Sequence, residues 1–477
     1  MKSRSLKRIG LMTFSLAALS AAAGVGIVPV GNGPALFQVP PAGKPEILAG
    51  RMDIPAGSAI AFDRHNRPFI VNAVDPECYG YISTWEDGKW VKLDFTAALK
   101  AAGCEYLPPA VRQLQTRAVI SFDQDDSLYV LVPGTRKVQD KVDINGNMLL
   151  LFSSDYGKTF QVFPLHTRPY LTSMESSSSG RVPATPPVIF CAYQLKDFKG
   201  SGVTYPSVGV QEMRFCTLNR LDVIIPEKVN GRLKLPAPVT VTERAVGITS
   251  HSGSNHISAR FGDRLFFCYV EVPENPETGG NPTYVAELDL KSGKVLNRKF
   301  TATATPNVSD NHATPTMAID SLGHLQLLTG SHGWHPSHPG FLFLHGLQPG
   351  SLAEWTKPER LGAGQTYVDM VVDSKDNLHV AYRVHPQLWY QRYDHAAGRW
   401  DKPVRMVEYP PASKNNSYTV YYHHLFIDRN DNLYLKFLFN DFETGAKGKF
   451  PLMWLVSPDG GRTWQPGSGE LVKKNVR

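Results

Sequence analysis

Histidine, tyrosine and arginine recur at similar places along the second half of this chain. His312 follows Asp310-Asn311 just before an apolar, strand-like run. His332 stands in Gly330-Ser331-His332-Gly333-Trp334, just after the partner run. Tyr367 precedes the next such run and Arg383 ends its partner. Tyr421, Tyr422, His423 and His424 occupy the corresponding place one repeat later, and His256, in Ser254-Asn255-His256, opens the repeat before. Imidazole titrates near neutral pH, and a guanidinium stays charged and can grip a carboxylate through two bonds, so this set can move protons and hold an anion. It lacks the two carboxylates that a glycosidase places across a scissile bond.

Each of these residues also has an ordinary structural reading. His312 could be a turn residue bonded to backbone, and Tyr367 and Arg383 could be packing and an ion pair. His332, His335 and His338 spell H-x-x-H-x-x-H, a spacing that also suits metal ligands, while Pro336 and Pro339 imply an irregular loop there. No cofactor is required by this set, although a structural metal ion is compatible with the histidine run. On a regular strand His423 and His424 point to opposite faces, so at most one of them faces the central channel.

The elements that would position these groups repeat. An apolar run ends in Asp, a short polar turn follows, and a second apolar run begins. Ala59 to Asp63 leads to Pro68–Val71, Val119 to Asp123 to Leu128–Val130, Thr316 to Asp320 to Leu325–Leu328, Asp369 to Asp373 to Leu378–Val380, and Leu425 to Asp428 to Leu433–Leu435. Each reads as a β-hairpin whose Asp bonds amides of the turn. Weaker copies at Pro187–Tyr193 and Ile257–Phe267 fill the long gap, which makes seven. A repeat of roughly 50 to 60 residues built from about four strands predicts propeller blades, because a lone blade cannot bury both faces and a closed ring can. The alternative is a pair of β-sandwich domains. Ser153-Ser154-Asp155-Tyr156-Gly157-Lys158-Thr159-Phe160 and Ser457-Pro458-Asp459-Gly460-Gly461-Arg462-Thr463-Trp464 share S-x-D-x-G-x-T-aromatic. Both resemble the Asp-box turn of sialidase-like propellers, a signature of structure and not of chemistry. The predicted fold is all-β, a seven-bladed β-propeller.

The chain opens on Lys2, Arg4, Lys7 and Arg8, then an apolar run from Ile9 to about Ala23 and a cluster of small residues. That order predicts a signal peptide over residues 1–23, with a single propeller domain over 24–477 and a secreted or periplasmic protein. A retained anchor is the competing reading, but the run is near the lower limit for a spanning helix and Pro29 and Gly31 soon break it. The 40 glycines, 36 prolines and 10% aromatic residues favour short strands and tight turns over helices. A net charge of +7 attracts anions; it is spread out and has no Lys/Arg block of the kind nucleic-acid arms carry. An acidic polysaccharide is the expected partner, with no nucleic acid, no membrane after cleavage, and a monomer. Five cysteines, at 78, 104, 191, 216 and 268, leave at least one unpaired, and Cys191, Cys216 and Cys268 sit in or beside apolar runs as small buried hydrophobes would.

Residues 251–407 resemble the BNR-4 repeat proteins, which include ulvan lyases of the seven-bladed type. The matching words are Ser254-Asn255-His256, Asp310-Asn311-His312 with Pro315 and Asp320-x-x-Gly323, the Gly330–Gly333 segment, and Tyr367 with Tyr382-Arg383. The resemblance implies a polysaccharide lyase that removes the C5 proton of a uronate and eliminates the 4-linked sugar. A cation must neutralise the carboxylate as enolate-like charge develops, a base must take the proton, and an acid must protonate the leaving oxygen. Carried over by motif, Arg383 and His332 would neutralise, His312 would act as base, and Tyr367 as acid, base or both if a neighbouring cation lowers its pKa. Tyr422 and His256 would complete the substrate-binding wall, although Tyr421 and Tyr422 compete for one place. The competing functions are a catalytically silent glycan-binding propeller and a sialidase-type hydrolase. The last lacks an early Arg-Ile-Pro word in this sequence.

Overall fold

A computed structural model describes residues 37–38, 54–55, 57–72, 80–106, 118–138, 141–142, 147–165, 167, 172–197, 217–249, 253, 255–272, 281–303, 312–332, 338–384, 387–408, 420–439 and 452–476. The predicted leader, Cys78 and Cys216 lie outside them. No helix among the described residues is long and apolar enough to cross a membrane.

The recurring aspartates do the same work at every turn. Oδ1 of Asp63, Asp123, Asp320, Asp373 and Asp428 each accepts the backbone N–H groups two and four residues on, at 2.8–3.0 Å. The chain then reverses through a residue of positive φ: Asn66, Asp126, Gly323, Asp376 or Asp431. Asn, Asp and Gly tolerate that region best.

The same residues fasten one hairpin to the next. Asp126 Oδ1 accepts from Arg64 N, Asp376 Oδ1 from Ser321 N, and Asp431 Oδ1 from Ser374 N. Asn66 Oδ1 accepts from Arg429 N at 3.0 Å, so the last hairpin is tied to the first by the same bond.

Each hairpin grows outward into an antiparallel four-strand set. Ala59–Phe62, Pro68–Asn72, Tyr81–Glu86 and Lys89–Asp94 pair in that order. Thr316–Ile319, Leu325–Leu328, Leu342–His345 and Glu359–Arg360 repeat the plan, as do Val420–Ile427, Leu433–Phe439, Leu452–Ser457 and Gln465–Pro466. Gln365–Val372 leads a similar sheet through Leu378–Val384, Gln387–Asp394 and Val404–Glu408, to which Phe37–Gln38 adds a parallel strand. Ser173–Met174 and Ser258–Phe261 open two further sets that share one eight-stranded sheet. The weak copy at Pro187–Tyr193 therefore falls on a second strand, Ile189–Asp197, and the short Ser173–Met174 precedes it.

The leading strands pack side by side. Ala59–Phe62 lies between Val119–Phe122 and Val420–Ile427, and Gln365–Val372 between Thr316–Ile319 and Val420–Ile427. Arg260 on Ser258–Phe261 reaches Glu175, just past Ser173–Met174, with Nε–Oε1 2.5 Å and Nη2–Oε2 2.7 Å. Between the sheets lie buried apolar side chains such as Phe69, Phe122, Val456 and Trp454.

Both Asp boxes fold alike. Asp155 and Asp459 each accept the N–H and hydroxyl of the Thr four residues on, at 2.9 and 2.6 Å, and Ser153 and Ser457 accept from Gly157 N and Gly461 N. Phe160 then packs on Phe95, and Trp464 on Tyr390. Cys191 and Cys268 are buried free thiols, and Cys104 is buried too; burial pushes Cys191 up to about 12 and Cys268 well above its ordinary value.

Candidate active site

Two leading strands carry an irregularity at the same distance before their aspartates. Strand pairing slips between Thr366 and Asp369, and Tyr367 there has φ 57°. It slips again between Tyr421 and His424, and Tyr422 has φ 54°. These are β-bulges, in which one extra residue bends the strand and redirects side chains. They make Tyr422, and not Tyr421, the counterpart of Tyr367.

Four of the sequence-derived residues meet around the first bulge. His332 forms an isolated antiparallel bridge with Thr366, and Arg383 is the ladder partner of Thr366 on the other side. Gly330 is what lets the segment carrying His332 approach His312: a Cβ there would lie 2.0 Å from the Ala313 carbonyl oxygen. The His312 and His332 rings are 4.9 Å apart, and the Tyr367 ring lies 5.8 Å from the first and 5.5 Å from the second. Tyr367 Oη stands 3.5 Å from His332 Nε2. Arg383 Cζ sits 4.6 Å from the Tyr367 ring centre, a cation–π arrangement, and Arg383 is 0% exposed. His312 is half-buried and His332 is 9% exposed, which makes them the most accessible members of the cluster.

His256 is placed elsewhere. Its Nδ1 is 3.1 Å from Asp369 Oδ1, and its ring meets Phe426 edge-on. It lines a small cavity between the leading strands, with Ser121, Ser176 and Phe426. Asp369, which opens an apolar run in the sequence, is a hub in the structure. Besides His256 it accepts from the backbone N–H of Asn255, His256 and Leu425, and it lies 3.5 Å from His424 Nδ1. Complete burial would raise its pKa, but His256 and His424 outweigh burial and hold it below the usual carboxylate range. Its sequence signal was a charge inside an otherwise apolar run.

The bulge breaks the strict alternation expected of His423 and His424. His423 Nε2 donates to the Tyr367 carbonyl at 2.6 Å, while His424 turns to Asp369, so both face the neighbouring leading strand. Strict alternation of side chains holds only for a regular ladder. Burial pushes His423 down to about 3, against the hydrogen bond to Tyr367, and His424 down to about 4, helped by Lys436. Lys436 is itself held well below its ordinary value by burial, with Nζ donating to Ser58 O at 2.7 Å.

Tyr422 is buried beside His423. Asp310, Asn311, Ser254, Gly333, Trp334, His335 and the Tyr421 side chain lie outside the described residues. The metal reading of H-x-x-H-x-x-H thus rests partly on an undescribed residue; among the described residues no group of three His, Cys, Asp or Glu is placed to hold a metal ion.

Residues 266–477 match the model described as "BNR repeat-containing family member". No curated protein matches the sequence. Similar solved structures include an ulvan lyase of family PL25 bound to -[GlcA(1-4)Rha3S]-, at 14% identity and TM-score 0.37, over 46% of this chain and 56% of that one. The chain thus spans little more than half of that lyase. An alpha-L-arabinofuranosidase from Fusarium graminearum aligns at 12% identity and TM-score 0.41, over 75% of this chain and 93% of that one. A protein of unknown function from Dyadobacter fermentans aligns at 12% and 0.42, over 71% and 93%.

Proposed function

We propose that this BNR-repeat chain is an exported, seven-bladed β-propeller lyase that cleaves a uronate-containing, ulvan-like polysaccharide by β-elimination. One observation carries the reading: the rings of His312, His332 and Tyr367, far apart in sequence, meet one another, and Arg383 lies against the Tyr367 ring. The ring of blades is supported by the turn-to-turn bonds, which include the one from Arg429 in the last hairpin to Asn66 in the first.

In this reading the uronate carboxylate meets His332. Arg383 delivers positive charge from beneath the Tyr367 ring, since its guanidinium has no exposed surface. That differs from the direct two-bond grip expected from sequence. His312 or Tyr367 removes the C5 proton, the freed electron pair forms the C4–C5 double bond, the C4–O bond breaks, and the leaving oxygen takes a proton from the other group. Tyr422 and His256 were expected in the substrate wall; His256 in this reading acts at a distance, through Asp369.

A hydrolytic reading fits less well. The carboxylate beside the cluster, Asp369, is fully buried and already held by backbone amides and imidazoles. Most glycosidases need two carboxyl groups open to the glycosidic bond, and a sialidase-type enzyme, which uses a Tyr nucleophile, would also need an arginine triad.

The test is incubation with ulvan, pectic, alginate and glycosaminoglycan substrates while ultraviolet absorbance is followed. A lyase leaves a 4,5-unsaturated uronate and the absorbance rises. Retention on a glycan gel with no rise on any substrate would leave the silent binding propeller instead.

A further inference from the structure

A tyrosine in the left-handed region is strained, and such a residue persists only where its surroundings over-determine it. Tyr367 is held from two directions. His423 Nε2 donates to its carbonyl oxygen at 2.6 Å. Gly253 presses on the same peptide: a Cβ there would lie 2.5 Å from Tyr367 C and 2.6 Å from its oxygen. The two are linked, because Gly253 N donates to His423 O at 2.9 Å. His423 can reach Tyr367 because the bulge at Tyr422 breaks the alternation of its own strand. One bulge thus secures the next.

We propose that His423 is a positioning residue: its imidazole N–H, backed by Gly253, holds the Tyr367 backbone turn that brings the phenol to His332. The proposal rests on the lyase reading of Tyr367. His423 has no exposed surface, so it does not touch substrate. Arg383, His424 and Asp369 are the charged or titratable groups around it, and burial keeps its imidazole neutral at working pH. It acts as a fixed donor and carries no proton in the reaction.

The test compares His423→Gln, which keeps a donor near the same place, with His423→Leu, which removes it. Steady-state kinetics are measured on whichever uronate glycan the wild type cleaves, and crystal structures are solved for the wild type and both variants. The Leu variant is expected to lose about 100-fold in kcat with KM within about twofold, a misplacement effect. Its Tyr367 should leave the left-handed region. The Gln variant should stay within about fivefold, with Tyr367 in place. Wild-type kcat in the Leu variant, or an unmoved Tyr367 in its structure, overturns the proposal. So does a Gln variant as slow as Leu with Tyr367 unmoved, which would mean that the imidazole reacts directly. If the Leu variant does not fold, Gly253→Ala takes its place: it should displace the Tyr367 peptide and lower kcat with His423 intact, and full activity there counts against the idea. If the wild type cleaves none of the glycans, the lyase reading falls, and the Tyr367 geometry in the structures still decides the role of His423.

Discussion

The guanidinium of Arg383 lies 4.6 Å from the centre of the Tyr367 ring with none of its surface exposed. A permanent cation is thus built in against the Tyr367 ring. Replacing Arg383 by Lys keeps the charge but not the flat face that stacks on the ring. Arg383→Lys should lower kcat about 10-fold and Arg383→Met at least 100-fold, measured on the cleaved glycan, with the circular dichroism spectrum unchanged.

His312 and Tyr367 face each other, edge to face at 5.8 Å. His312→Ala and Tyr367→Phe should each reduce turnover by at least 100-fold, as expected when a proton-transfer group is removed. Glycan binding, followed by calorimetry, should weaken less than 10-fold. Normal turnover in both would displace the reaction from this cluster.

Asp369, on Gln365–Val372, is bonded to Leu425 on Val420–Ile427 and to Asn255 and His256 just before Ser258–Phe261. Asp369→Leu strands those donors in the interior and should cost about 3–5 kcal/mol in denaturant unfolding, the range for breaking a buried charged network.

Stability should also depend on pH in a way that points to two histidines. His423 and His424 titrate near 3 and 4 in the folded chain and near 6.5 when unfolded. The unfolded state therefore binds more protons below about pH 6.5. Stability is full above that value and falls with acidification, by roughly 1.4 kcal/mol per pH unit for each group, until the folded values are passed. Asp369, also depressed, adds a further loss below about pH 4. Urea midpoints between pH 7 and 4.5 should show the slope, and His424→Gln should roughly halve it. A flat profile would mean that these imidazoles are not buried and neutral.

Asn66 performs two functions in the tie between the first and last hairpins. Its oxygen accepts from Arg429 N and its nitrogen donates to Asp428 Oδ2 at 3.1 Å, while its backbone sits at φ 60°. Asn66→Ala loses both bonds and the tolerance for that turn, and should cost about 2–3 kcal/mol of stability. Turnover at low temperature should not change.

The sequence was most informative about the repeat. Asp63, Asp123, Asp320, Asp373 and Asp428 could be picked out because a turn aspartate works locally, on amides two and four residues away, and local chemistry leaves a local pattern. The Asp boxes were legible for the same reason. The short strand Ser173–Met174 was missed because two residues carry no periodicity. His312, His332, Tyr367 and Arg383 could be singled out by type and spacing, since reactive side chains stand out at the ends of apolar runs.

The two bulges could not be read from the chain. An extra residue shows only against the partner strand, and regular alternation does not hold across His423 and His424. Nor did the sequence reveal that Asp369 bonds across to Asn255 and Leu425, or that Arg383 lies under Tyr367. Those relationships depend on which strands lie side by side, and that is decided by packing between sheets. The sequence by itself determined the hairpins and the kinds of group available for chemistry. Only the tertiary structure decided which of those groups meet, because local hydrogen bonds shape a turn whereas long-range burial selects its neighbours.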